Sequence, residues 1–217
     1  MTSPSHGTRR RRPVLVPVAA ALAAAGIGVT AALGGLKEAP PEKPPQLTPG
    51  QAIDQGQFRT EFLEAVDTTE QGSFGMTKRY LEIFIKVTNL GKETTRVGLL
   101  PKPGKISEMP LSFAGSLLSV NPEIKSKYGA DVFVLSYGIE SRQLHPGITT
   151  TVVVKYELEP TATAPAEIRV DVGRLFYGAL GIRDRTHYWQ LVGEDKDGEF
   201  TPTVAAQVSL PVRQEQA

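Results

Sequence analysis

Four consecutive arginines, Arg9, Arg10, Arg11 and Arg12, run directly into Pro13–Leu36, which has no charged residue and one polar side chain, Thr30. At about 1.5 Å per residue these 24 residues make a helix of roughly 36 Å, enough to cross a hydrocarbon core of about 30 Å. Lipid offers no partner to a bare backbone, so a segment that enters it must be helical. The first stretch beyond it carries only Lys37 and Lys43, offset by Glu38 and Glu42. The positive-inside rule therefore places residues 1–12 in the cytoplasm and residues 37–217 outside. The expected organisation is a basic tail (1–12), a transmembrane signal anchor (13–36), a Pro-rich linker (37–50), an extracytoplasmic domain (51–212) and a short tail (213–217).

The anchor is weakly apolar, with eight alanines, four glycines and two prolines. Val29-Thr30-Ala31 puts small residues where a signal peptidase cuts, so the sequence allows either a retained single-pass anchor or secretion after cleavage near Ala31. The arginine run also invites a twin-arginine reading, but Pro13 and Val14 replace the usual large apolar pair. Ala20, Ala24, Gly28 and Ala32 recur every four residues, a smooth face that suits a helix-mediated homodimer.

The chain has no cysteine, which excludes disulfides, thiolate metal sites and a cysteine nucleophile. The roughly 170 outer residues must stand on an apolar core alone. Once Arg9–Arg12 are set aside, 20 basic residues face 23 acidic ones, a net −3 that disfavours nucleic acid as a partner. Residues 38–50 hold five prolines and read as a stiff, extended spacer without folded structure.

Beyond the spacer, period-two alternation dominates. Residues 57–67 place Phe58, Phe62 and Val66 on one face. Residues 79–89 place Leu81, Ile83, Ile85 and Val87 on one face, and Glu82, Lys86 and Thr88 on the other. The turn at Asn89-Leu90-Gly91-Lys92 uses residues that tolerate positive φ, and residues 94–100 are expected to return as the hairpin partner. Prolines and Gly104 break up residues 101–131, read as a lid over the domain or a binding loop, with a short strand at 113–120 and a helical turn or two at 122–128. Strands follow at 131–137, 148–159, 167–176, 187–192 and 203–210, with turns at Leu144-His145-Pro146-Gly147 and Asp197-Gly198. Seven to nine short strands predict an all-β fold, an antiparallel β-sandwich.

The run Phe84-Ile85-Lys86-Val87-Thr88-Asn89 before Gly91, and Leu144-His145-Pro146-Gly147 before a valine-rich strand, resemble the secreted or membrane-anchored immunoglobulin-like domains common in Gram-positive bacteria. The resemblance spans residues 57–212, and residues 101–131 depart from the pattern. It implies a cell-surface immunoglobulin-like sandwich, in a family mostly of unknown function, and offers no catalytic residues to carry over.

Catalytic signatures are lacking: there is no Gly-x-Ser-x-Gly elbow and no His-Glu-x-x-His helix. Gly98 and Gly104-Lys105 mimic a phosphate loop but stand one residue too far apart. Asp195, Asp197 and Glu199 resemble a calcium loop without its key carboxylates; a solvated acidic hairpin is the plainer reading. His145 and His187 are candidates for a weak metal site with a carboxylate. Phe176, Tyr177, Tyr188 and Trp189 cluster around Arg183 and Arg185, and aromatic rings beside polar groups grip sugars or peptides. Tyr177, Arg183, Arg185 and Tyr188 are therefore the candidate ligand surface. The expectation is a non-catalytic binding or assembly module of the cell envelope, without cofactor, whose partner is an envelope protein or glycan. The alternative is a cell-envelope hydrolase or a secreted protein that binds metal or ligand weakly.

Overall fold

The computed structural model describes residues 43–71, 75–103, 105–106, 110–136, 138–159, 161–179, 185–196 and 198–215, together with Ala19, Ala25, Gly26 and Val29. The chain divides into two compact units, Met1–Lys43 and Pro44–Ala217. In the first, Ala19, Ala25, Gly26 and Val29 are helical and exposed. Arg9–Arg12, Ala31 and most of the apolar segment lie outside the described residues, and so do the expectations placed on them. Among the described residues no helix is long and apolar enough to cross a membrane.

The second unit is all-β. In chain order its strands are β1 (Gln46–Leu47), β2 (Ala52–Asp54), β3 (Phe58–Gln71), β4 (Thr77–Asn89), β5 (Thr95–Arg96), β6 (Leu117–Asn121), β7 (Ser126–Ser136) and β8 (Ile139–Ser141). There follow β9 (Gln143–Leu144), β10 (Thr149–Leu158), β11 (Glu167–Gly173), β12 (Leu175–Ala179), β13 (His187–Leu191), β14 (Gly193–Lys196), β15 (Glu199–Pro202) and β16 (Val204–Gln214). One sheet runs β3-β4-β10-β7-β8 with β2 beside β3, and a second runs β6-β11-β16 with β1 on the far side of β16. β16 belongs to both: Val204–Pro211 pairs with β11, and Val212–Gln214 runs parallel to β3. The core draws from both sheets, for example Ile85 and Val154 from one and Val170 and Leu210 from the other. That is a sandwich-like arrangement.

Alternation sets the inward faces. Leu81, Ile83, Ile85 and Val87 of β4 are buried, as are Val152, Val154, Tyr156 and Leu158 of β10. The two strands pair antiparallel, Ile85 against Val152 and Ile83 against Val154. On the outward face the apolar Val153 and Phe133 are also buried and pair with each other. In the next outward row Lys155 meets Glu82 at 2.8 Å and lies 4.1 Å from the Tyr80 ring centre. Partial burial opposes the Lys155 charge, but hydrogen bonds to Glu70 and Glu82 outweigh it and hold the pKa above the ordinary lysine value.

Burial raises the Tyr156 phenol well above its ordinary range. The sign follows from linkage: a raised folded pKa gives stability that is whole below the unfolded pKa of about 10 and is lost as pH rises through the folded value. An alkaline absorbance titration is expected to show that one of the six tyrosines ionises only as the domain unfolds. Tyr156→Phe removes that late step.

Several local expectations are corrected. Val66 faces outward, opposite Glu82, because a bulge between Phe62 and Glu64 shifts the register and sends Ala65 inward instead. Residues 94–100 do not return along β4, whose two edges are taken by β3 and β10; β5 pairs with β9. Residues 122–125 form no helix; the helical turn is a 3-10 turn at Ala114–Ser116. The proline-rich spacer is structured at its end. Prolines lack a donor but keep an acceptor, and the Pro45 carbonyl takes the Gln207 N–H at 2.9 Å before Gln46 and Leu47 pair with β16. Pairing also runs past Val212, through Arg213 and Gln214.

The irregular segment between β5 and β6 is part of the core. Val97, Phe113, Ala114 and Leu117 are buried, and the Phe113 ring meets Phe58 edge to face at 5.5 Å. Prolines bar this segment from a ladder but not from burying side chains.

Candidate functional site

After Gly173 the chain leaves the second sheet, and β12 (Leu175–Ala179) pairs with β13 (His187–Leu191) as a separate antiparallel ribbon. The 167–176 run, expected as one strand, breaks at Arg174 for this reason. In the ribbon Leu175 pairs with Leu191, Tyr177 with Trp189 and Ala179 with His187, so these six share a face. The two leucines are buried in the core, Trp189 packs against it, and Tyr177 is exposed. One face thus grades from apolar root to aromatic tip. The root is tied down where the Leu175 N–H donates to the Gln55 carbonyl at 2.7 Å. Gly56, at φ +86°, lies directly beneath it: an added Cβ would overlap the Leu175 carbonyl oxygen and stand 3.1 Å from its carbon.

Opposite the ribbon stands the loop after β4, fixed by one buried side chain. Asn89 donates through Nδ2 to the Glu93 carbonyl at 2.8 Å and the Leu144 carbonyl at 3.0 Å, and its Oδ1 accepts from the Gly91 N–H at 2.9 Å. The turn thus uses the amide of Asn89, not the positive φ expected of Gly91, which is absent from the positive-φ glycines. Gly147, by contrast, takes a positive φ (+71°) in the turn expected at Leu144–Gly147. Asn89→Ala strands three polar groups and is expected to cost about 2 kcal/mol. A urea melt checks the stability, and faster amide exchange at residues 90–95 would locate the effect.

Between loop and ribbon lies a cleft of about 730 Å³. Tyr177, His187, Tyr188 and Trp189 form its ribbon wall, and Leu90 to Thr95 form the other. Tyr177 lies 5.3 Å from Trp189 and 5.6 Å from His187 between ring centres, tilted by 51° and 32°. Gln57, only 6% exposed, also lines the cleft, and its Oε1 is buried without a hydrogen-bond partner among the described residues. Neighbouring Gln55 differs: its amide donates to Ser116 Oγ and the Gly173 carbonyl and accepts from Thr60.

No family model matches the chain, and no curated protein matches it.

Of the expected ligand surface, Tyr177 and Tyr188 line the cleft, Arg185 is exposed but does not line it, and Arg183 lies outside the described residues. The two histidines come to the same end of the domain: His187 lines the cleft, while His145 Nδ1 lies 3.0 Å from Oγ1 of Thr94, a cleft residue. Among the described residues no three His, Asp or Glu side chains group as a metal site. Asp195 and Glu199 sit on the β14–β15 hairpin, where Asp195 pairs with Phe200, and Asp197 lies outside the described residues. Gly98, the first glycine of the phosphate-loop mimic, has φ +83° and is packed on Ser112. Sequence reasoning placed a turn at Asn89–Lys92 but gave neither it nor Gln57 a part in the site. An Asn-x-Gly ending the best strand was the available signal.

Proposed function

We propose that this chain is a membrane-anchored, extracytoplasmic module with an immunoglobulin-like sandwich that binds an envelope component in the cleft and performs no chemistry on it. The cleft carries the reading. Its volume falls in the range of small-ligand sites, roughly 300–1,000 Å³, and it joins aromatic walls to a few polar groups. The arginine run before an uncharged 24-residue segment supports the anchor and its polarity.

Two measurements test this. A C-terminal tag on intact cells should react with a membrane-impermeant reagent, and the membrane fraction should keep the original N-terminus. Reaction only after lysis would end the extracytoplasmic reading; a mature chain beginning near Ala32 would replace the anchor by secretion. A photo-crosslinking residue at Tyr177 should capture an envelope component that the same residue at Tyr128 does not. Tyr128 is 75% exposed and sits near the start of β7, whose other end lies toward the cleft. Equal capture at both positions, or none at Tyr177, would refute the cleft as the binding site.

A further inference from the structure

We infer that the cleft takes an uncharged oligosaccharide, an assignment that rests on its being a binding site at all. Among the described residues that line it, formal charge comes from Lys92 and Glu93, adjacent and opposite in sign. That balance gives no reason to select an anion or a cation. The remaining polar side chains of the lining are hydroxyl, amide and imidazole, from Thr94, Thr95, Tyr177, Gln57 and His187. These are partners for ligand hydroxyls, which both donate and accept. The rings supply what a sugar also needs, a flat apolar surface for its C–H face. Tyr177 is 60% exposed, so ring area stands open to solvent beside the polar groups.

Gln57 points the same way. An amide oxygen buried without a partner weakens a fold, and a protein interior seldom keeps one. Amide O and N differ only by a half turn about one bond, so the Gln57 carboxamide, whose Oε1 has no partner among the described residues, can present either a donor or an acceptor to the cleft. A polyol hydroxyl satisfies both orientations. Gln55, two residues earlier, has every side-chain group engaged and no such freedom.

The test uses a reporter built into the chain. Trp189 is the one tryptophan and lies in the cleft wall. The full-length chain, in a detergent without a sugar headgroup, is titrated with neutral tetramers of N-acetylglucosamine, cellotetraose and maltotetraose, with tetragalacturonate as the anionic probe, and with a neutral decapeptide. At least one neutral tetramer should shift Trp189 emission saturably at millimolar concentration or below, and tetragalacturonate should bind no more tightly. Tyr177→Ala should weaken that binding about tenfold. Gln57→Leu should weaken it several-fold while leaving the melting temperature unchanged or higher, since it removes a buried unpaired group. A purely structural Gln57 would instead lose melting temperature with no change in binding. Emission shifts with the peptide or the anion alone overturn the uncharged-glycan assignment, and so does silence with every probe. If capture at Tyr177 in cells persists in those cases, the binding-module reading stands and only the ligand class falls.

Discussion

Gly56→Val is expected to detach the β12–β13 ribbon and lower unfolding free energy by about 4 kcal/mol. Two effects add. The position has φ +86°, where a β-branched residue is strained by about 1–3 kcal/mol. Its Cβ would also occupy the space of the Leu175 carbonyl oxygen, a backbone atom that no rotamer change can move. The chain can escape only by parting the ribbon from residues 55–57, which breaks the Leu175–Gln55 hydrogen bond and uncovers Leu175 and Leu191. Trp189 should then show red-shifted emission and easier acrylamide quenching before the rest of the domain melts. A variant that melts within 1 kcal/mol of the parent, with unchanged Trp189 emission, would show that the ribbon is not seated through Gly56. Gly50 is the internal control: its φ is +84°, yet an added Cβ meets nothing within 4 Å among the described residues. Gly50→Val therefore isolates the backbone strain and should cost markedly less.

Phe113→Ala is expected to cost about 3–5 kcal/mol, the range for a fully buried phenylalanine. The ring is lost from an edge-to-face pair with Phe58, and the cavity opens between the irregular segment and β3. If residues 97–117 were a detachable lid, the change would leave the global melt intact and loosen only the segment. If they are core, as Phe113 and Leu117 indicate, the whole domain loses stability in one transition. Denaturant unfolding followed at Trp189 and by far-ultraviolet dichroism separates the two, because only the second outcome moves both probes together.

The two strongest strands were legible because one buried face leaves a period-two mark: the inward residues of β4 and β10 can be read from the sequence and are buried, whereas the burial of outward Val153 leaves no such mark. What the sequence hid was pairing between distant segments. Nothing local announces that β5 joins β9, that the 167–176 run breaks to build a ribbon, or that Gln46 and Leu47 extend a sheet along β16. A bulge of one residue was enough to turn Val66 outward. At the cleft, Tyr177 and Tyr188 were legible as exposed aromatics in a strand context. The loop wall was not, because its shape depends on where the amide of Asn89 points, and Asn89 reaches Leu144 across 55 positions of sequence.

β16 is the seam between the two sheets, and it is made after every other strand described. A ribosome delivers about 5–20 residues per second, N-terminus first. Until Val204–Gln214 emerges, β11 lacks its main partner and β3 lacks its parallel neighbour, so neither sheet can close on the other. The strand that leaves the ribosome last among those described is therefore the one that joins the two sheets, so a chain cut before Val204 is expected to lack the seam altogether.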